Sequence, residues 1–297
     1  MTKLTRILCP IDFDEHSGRA VARAQDLATR HGAELRLVHV LPRAESLLMP
    51  QPAVADEAER AVGRHLDALA KLIRAAGVRC EVAVLHGDPA LHILQAARDG
   101  EADLIVMATH GRKGVARVVL GSVTEAVLHA TPCPLLTIPP RAPGGGGEFS
   151  RVVCAVDFAP SSPATFAHAR AMVHDSYGEL TVLHVIDPAF ASGAPDAARE
   201  SARALASLHG RVPAEEASWC VVRDAVRFGD TATEVLKAAA DEDAHLIVIG
   251  AHSRRPAVAA MVGSCADRIV RESPCAVLAV PAPSPVVPIP LLHPVYA

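Results

Sequence analysis

Short apolar runs alternate with longer amphipathic stretches along the whole chain, the pattern of a βαβ chain that builds a parallel sheet. In the first half the runs cover residues 7–11, 35–40, 78–85, 104–108 and 135–138. They do not alternate with polar residues, as expected of strands whose two faces are both covered by helices. Residues 53–76 give the clearest helix. Ala58, Val62, Leu66, Leu69 and Ile73 recur at steps of four and three, and Gly77 stops the run. Gly87-Asp88-Pro89 opens another helix, with Asp88 as N-cap and Pro89 at the first helical position; Gly229-Asp230-Thr231 is its counterpart. The pattern predicts five strands and about four helices in each half.

The halves are copies. Arg6-Ile-Leu-Cys-Pro-Ile-Asp-Phe13 returns as Arg151-Val-Val-Cys-Ala-Val-Asp-Phe158, an offset of 145, and Val38-His39-Val40 returns as Leu183-His184-Val185. Ala102-Asp103-Leu104-Ile105-Val106, Gly121-Ser122 and Pro132-Cys133 return at an offset of 142, after a three-residue deletion. One domain was duplicated, so any site has to be explained twice. Residues 1–140 and 151–282 read as the two domains. Residues 141–150, with four successive glycines, read as a flexible linker. From residue 281 onward six prolines stand among apolar residues, which excludes a helix or an inner strand. Residues 283–297 therefore read as a tail, disordered or draped on the surface; Pro285-Val-Val-Pro288 is too short a motif to assign a partner.

Composition narrows the function. A chain of 297 residues, half of them hydrophobic, can bury two ordinary cores. A net charge of -4 argues against a general nucleic-acid binder. No apolar run reaches the length of about 18 residues that suggests a membrane span. The first strand begins by Arg6, leaving no room for a secretory leader. The seven cysteines include no Cys-x-x-Cys pair, so reduced thiols in a cytoplasmic protein are expected. Cys9 with Cys154, and Cys133 with Cys275, occupy repeat-equivalent strand positions and read as small buried fillers.

The standard catalytic signatures do not occur. The lysines are Lys3, Lys71, Lys113 and Lys237, and none follows a glycine, which removes the phosphate loop of the Walker type. What remains follows the fourth strand: Ala108-Thr-His110-Gly111-Arg112-Lys113-Gly114, then a run to Gly121-Ser122. The second copy reads Gly250-Ala-His252-Ser253, then nine residues, then Gly263-Ser264. Here a loop crosses the carboxyl edge of the sheet and a helix begins. Open parallel sheets bind ligands at that edge, and free N–H groups at a helix start favour phosphate oxygens. Arg112, Lys113 and Arg117, or Arg254 and Arg255, are either phosphate contacts or solvated charges.

These residues resemble the universal stress protein family, whose nucleotide-binding members carry Gly-x2-Gly-x9-Gly-Ser/Thr. The resemblance spans both halves: the leading strand ending in aspartate, the His-Val pair, the Gly-Asp before the third helix, the loop, and the closing Pro-Cys strand. It implies an α/β fold of two tandem Rossmann-like or flavodoxin-like domains, each a five-stranded parallel sheet, joined through their last strands. A homodimer would be an addition to that internal pairing. The resemblance further implies a stress-response module that binds ATP or a related adenine nucleotide with little or no turnover. The ligand would lie along Pro10, Ile11 and Asp12 at the end of the first strand, Val40 at the end of the second, and the loop residues Ala108, His110, Gly111 and Arg112. Gly121, Ser122 and Val123 at the helix start would complete the first site. Asp157, Val185, Gly250, Ser253, Gly263 and Ser264 are the second copy's residues.

The two copies depart from the motif differently. Ala108 replaces the leading glycine in the first, a small change where only close approach is needed. Ser253 replaces the middle glycine in the second, a larger one if that position needs positive φ. The first site is therefore the better candidate. Asp12 can serve the nucleotide or steady a magnesium ion beside its phosphates, or it can cap the helix that starts near Ser17. Val40 and Val185 can equally be plain strand ends. His110 and His252 read as loop-structuring residues, and His39 and His184 as hydrogen-bonded core histidines. Two other readings stay open: a nucleotide-independent scaffold, and an adenylyl-transferase-like enzyme. The latter wants an H-x-G-H signature, which Asp14-Glu15-His16-Ser17-Gly18 does not supply.

Overall fold

The structure is a computed structural model that describes residues 4–14, 16–41, 52–109, 120–140, 149–159, 162–174, 178–187, 194–208, 220–251 and 265–282. The first half runs β1 (Arg6–Pro10), α1 (Ser17–His31), β2 (Glu34–Leu41), α2 (Pro52–Ala75), β3 (Cys80–His86), α3 (Pro89–Asp99), β4 (Leu104–Ala108), α4 (Ser122–Ala130) and β5 (Leu135–Ile138). The second repeats it as β6 (Arg151–Ala155), α5 (Ser162–His174), β7 (Glu179–Ile186), α6 (Ala194–Leu208), β8 (Val221–Phe228), α7 (Thr231–Asp241), β9 (Leu246–Ala251), α8 (Cys265–Glu272) and β10 (Ala276–Pro281).

The strands join in one sheet, in the order β3-β2-β1-β4-β5-β10-β9-β6-β7-β8. Each half thus has the order 3-2-1-4-5 of the Rossmann arrangement, with β1 beside β4, and not the flavodoxin order 2-1-3-4-5. Strands pair in parallel within each half and antiparallel at the seam, where Leu136 faces Leu278 and Thr137 faces Val277. The Thr137 hydroxyl donates to the Val277 carbonyl at 3.3 Å. Helices α1, α2, α5 and α6 pack on one face and α3, α4, α7 and α8 on the other, so each face carries one apolar core that crosses the seam. Beside the seam His129 Nε2 of α4 lies 3.0 Å from the buried Asp267 Oδ1 of α8.

The expected elements appear with local shifts. The third strand starts at Cys80 and not at 78, because residues 76–79 wrap the end of α2: Gly77, at φ +86°, donates to Arg74 and Val78 reaches back to Ile73. The Asp88 side chain caps α3 by accepting from the Leu91 N–H at 2.8 Å, and Asp230 does the same for Thr233 at 3.0 Å. Cys9 and Cys154 are wholly buried strand residues, whereas Cys133 and Cys275 sit in the turns entering β5 and β10 and not in those strands. All seven cysteines are free, and burial pushes the Cys133 thiol up to about 12 and Cys275 up to about 11. Pro281, the first of the prolines expected to exclude an inner strand, instead ends β10 opposite Ala251.

Asp103 ties the amino edge of the first half together. Its Oδ2 accepts from the Thr5 hydroxyl at 2.6 Å and from the N–H groups of Thr5 and Arg6 at 2.7 and 2.9 Å. Burial alone would raise its carboxyl; the Thr5 and Arg6 bonds and the Arg6 charge together hold it below the ordinary value. A pKa lower in the folded than in the unfolded state contributes stability that is complete above the unfolded value, about 4 for aspartate, and fades as pH falls through the folded value. Asp103→Asn should therefore lower the melting temperature at pH 7 and flatten its fall below about pH 4. Melts of both proteins from about pH 2 to about pH 7 check this.

The seam generates a second expectation. Residues 1–140 alone would leave β5 as an unpaired apolar edge, which tends to find another strand. That fragment should sediment as a dimer at micromolar concentration, and a charge at the centre of the edge, Leu136→Asp, should return it to a monomer.

Candidate functional site

The strand order places one topological switch point in each half. After β1 the chain turns to α1 on one face, and after β4 it passes to α4 on the other. α1 and α4 thus lie on opposite faces beyond the carboxyl ends of β1 and β4, the place where doubly wound sheets take ligands in a crevice.

One wall is the end of β1. Pro10 and Ile11 are buried, and the Ile11 N–H donates to the Val38 carbonyl at 2.8 Å, extending the β1–β2 ladder by one residue. Asp12 follows, half-buried. Its Oδ1 accepts from the Ser17 hydroxyl and, at 3.3 Å, from the Asp14 N–H, while the Asp12 N–H donates to Ser17 Oγ at 3.2 Å. Asp12 is not the cap considered for it: the N-cap of α1 is His16, without a side-chain cap bond, and the Ser17 N–H goes to the Asp14 carboxylate at 2.6 Å. Asp12 orders the turn before the helix and keeps its place at the crevice. The second copy repeats this core: Asp157 Oδ1 accepts from the Ser162 hydroxyl at 2.8 Å and the Ala159 N–H at 3.0 Å.

Phe13 and Phe158 went unnoticed in the sequence and complete this wall. Both adopt left-handed backbone, at φ +61° and +58°, a conformation that is costly for a bulky residue. Their rings lie 5.0 Å from His39 and 4.3 Å from His184. Each histidine bonds through Nδ1 to the strand-end carbonyl, His39 to Ile11 at 2.7 Å and His184 to Val156 at 2.8 Å. A carbonyl only accepts, so Nδ1 carries the proton. The core-histidine reading thus gains a purpose, since each imidazole locks the end of β1 or β6 to the neighbouring strand. The signal in the sequence was the Asp-Phe pair kept in both copies.

The other wall is the end of β4. The Ala108 carbonyl accepts from the Thr124 hydroxyl at 3.0 Å, and the Thr109 carbonyl from the Gly121 N–H at 2.9 Å. These two bonds hold the first turn of α4 against the strand that precedes the loop. Gly121 is the N-cap, at φ -60° and ψ 134°, and having no side chain it gives the helix no side-chain cap of its own. Ser122 is exposed in the first turn, and Val123 packs partly buried on the core. Val40 and Val185 stand near the ends of β2 and β7, half-buried. Gly250 lies in β9 opposite Val280. His110, Gly111, Arg112, Ser253, Gly263 and Ser264 lie outside the described residues, as does His252. Among the described residues no cluster of three or more His, Cys, Asp or Glu side chains could hold a metal ion.

The arrangement supports comparison with known families. A model of the universal stress protein family matches residues 3–139 and again residues 148–281. The chain belongs to the universal stress protein family. Among its relatives, a universal stress protein of Thermus aquaticus is 37% identical over 133 residues, 44% of this chain and 96% of the other. One from Methanocaldococcus jannaschii is 31% identical over 141 residues, 45% of this chain and 81% of its own length. Both match one unit of the tandem. A universal stress protein from Archaeoglobus fulgidus superposes with a TM-score of 0.74 at 23% identity, covering 93% of this chain and 96% of that one, a likeness of fold across both halves. No helix among the described residues is long and apolar enough to cross a membrane.

In this universal stress protein the Asp12–Ser17 pair should be structural as well as positional. Ser17→Ala removes a buried partner of a carboxylate and should cost about 1.5–3 kcal/mol of stability. Urea unfolding of the variant checks it, with Ser162→Ala as the equivalent change in the second half.

Proposed function

We propose that the first half binds an adenine nucleotide, ATP or a close relative, as a stress-response signalling or tolerance module with little or no turnover. The observation that carries this reading is the start of α4. The helix begins beyond the carboxyl end of β4, and its N-cap is Gly121, which places no side chain over the first-turn N–H groups. Such a helix start attracts phosphate oxygens through its N–H groups and its dipole. Membership of the family and the Gly111…Gly121-Ser122 spacing support the same assignment. Adenine would then lie towards Val40, with the phosphates at Gly121 and Ser122. Asp12 fits a role beside them, although its Oδ1 already serves Ser17 and Asp14. A magnesium ion would be held chiefly by the nucleotide, with Asp12 as the side chain nearest to hand.

A nucleotide-independent scaffold is the second reading. It is favoured by the motif glycines replaced at Ala108 and Ser253. Gly121→Val separates the two. At φ -60° and ψ 134° valine fits the backbone, so the fold should survive while the branched side chain enters the phosphate space. Calorimetry with ATP and magnesium should show wild-type affinity lost at least tenfold in Gly121→Val and nearly kept in Gly263→Val. The reverse pattern would move the site to the second half. No heat from the wild-type protein, and no nucleotide recovered after denaturation, would leave the scaffold reading in its place.

A further inference from the structure

Between the halves, beside α5, lies a groove of about 370 Å³, a volume within the range of small-molecule sites and at a domain junction, where such sites are common. One side is the first half, at Leu4, His31, Asp103 and Cys133. The other is α5, at Ala164, His168 and Met172, and Ala282, just beyond β10, lines it too.

The duplication shows what the equivalent space holds in the other copy. At an offset of 145, Ala164 and His168 on α5 correspond to Arg19 and Arg23 on α1, and Leu4 corresponds to Phe149. At an offset of 142, Ala282 corresponds to Pro140 and Asp103 to His245. On the α1 side the protein's own guanidinium groups are in place. Arg19 donates to the Pro140 carbonyl, and the Arg23 guanidinium lies over the Phe149 ring, 4.5 Å from its centre. On the α5 side both cations are absent, and a carboxylate, Asp103, stands where the α1 side has His245.

We infer that the groove binds a small monoalkyl guanidinium compound, whose cation takes the place that Arg19 and Arg23 fill in the first copy. The acceptors it needs are at hand. The Asp103 carboxylate uses Oδ2 for Thr5 and Arg6, and its Oδ1 takes no bond among the described residues. His168 Nδ1 lies 2.8 Å from the Ala164 carbonyl. A carbonyl only accepts, so Nδ1 carries the proton and Nε2 of the neutral ring is an acceptor. The Ala282 carbonyl is the counterpart of the one that Arg19 uses. A guanidinium is a planar fork of donors with no acceptor, and it meets a carboxylate through two parallel bonds. An ammonium is a compact and more strongly hydrated charge, which suits acceptors on separate walls less well. Leu4 and Met172 supply apolar surface for the alkyl chain. This assignment is independent of nucleotide binding.

Calorimetry of the full chain with butylguanidinium, butylammonium and neutral butylurea tests it. The wild type should bind butylguanidinium saturably at a single site, at least tenfold more tightly than butylammonium, and give no heat with butylurea. Ala164→Arg with His168→Arg puts the first copy's side chains into the groove. That variant should lose affinity at least tenfold while melting no lower than the wild type. If it melts lower, Asp103→Asn and His168→Ala decide in its place, each removing one acceptor, and each should weaken binding at least tenfold. Heat that does not saturate, equal affinity for the ammonium or the urea, or undiminished affinity in the deciding variants would overturn the inference.

Discussion

Where β5 meets β10, Leu135, Leu136 and Thr137 pair antiparallel with Ala279, Leu278 and Val277, and all six are fully buried. Either strand alone would present an apolar edge with unpaired backbone groups, the most aggregation-prone surface a sheet can offer. Joined, they turn two five-stranded sheets into one, merge the helix-covered cores on each face, and bring α4 beside α8 so that His129 meets Asp267. The seam also sets the position of everything functional. Strands are parallel within a half and reversed across it, so the two switch-point crevices open at opposite edges of the sheet.

Much of the fold was legible because its signals are local. Apolar runs without alternation announced strands covered on both faces, and Asp88 and Asp230 stood where their helices start. The internal repeat then said that whatever one half did, the other did too. What local signals missed was set by neighbours in space. The start of β3 moved to Cys80 because the end of α2 claims residues 76–79. Cys133 left its expected strand because the turn into β5 takes it. The Ser17 N–H went to Asp14 and not to Asp12 through the geometry of a turn that no spacing rule specifies. The left-handed Phe13 and Phe158 were invisible for the same reason: a positive φ at phenylalanine goes against its propensity, and it occurs here where the Asp12 or Asp157 turn bonds and the ring contact with His39 or His184 meet.

The duplicated halves act as each other's reference. Features kept in both copies, Asp12–Ser17 with Asp157–Ser162 and Phe13–His39 with Phe158–His184, hold the carboxyl end of the first strand in one shape. Features that differ change what surrounds that shape. In sequence Gly111 stands against Ser253, and on the helix that follows the first strand Arg19 and Arg23 stand against Ala164 and His168. The first half holds its helix from behind with its own arginines; the second carries Ala164 and His168 at those positions.

That difference ties the second half's two surfaces to one element. α5 begins at Ser162, whose hydroxyl holds Asp157 at the second crevice, and its Ala164, Ala167, His168 and Ala171 face the groove. Coupling between distant surfaces needs a rigid element that both can bias. A 13-residue helix anchored at one end by a carboxylate, with Phe166, Ala169 and Val173 in the core, is such an element. In the first half the corresponding helix is pinned from behind by Arg19 on Pro140 and Arg23 on Phe149. The seam thus gives the two copies a common frame, and Arg19 and Arg23 give the first copy's helix a support behind its switch-point turn that Ala164 and His168 do not give the second.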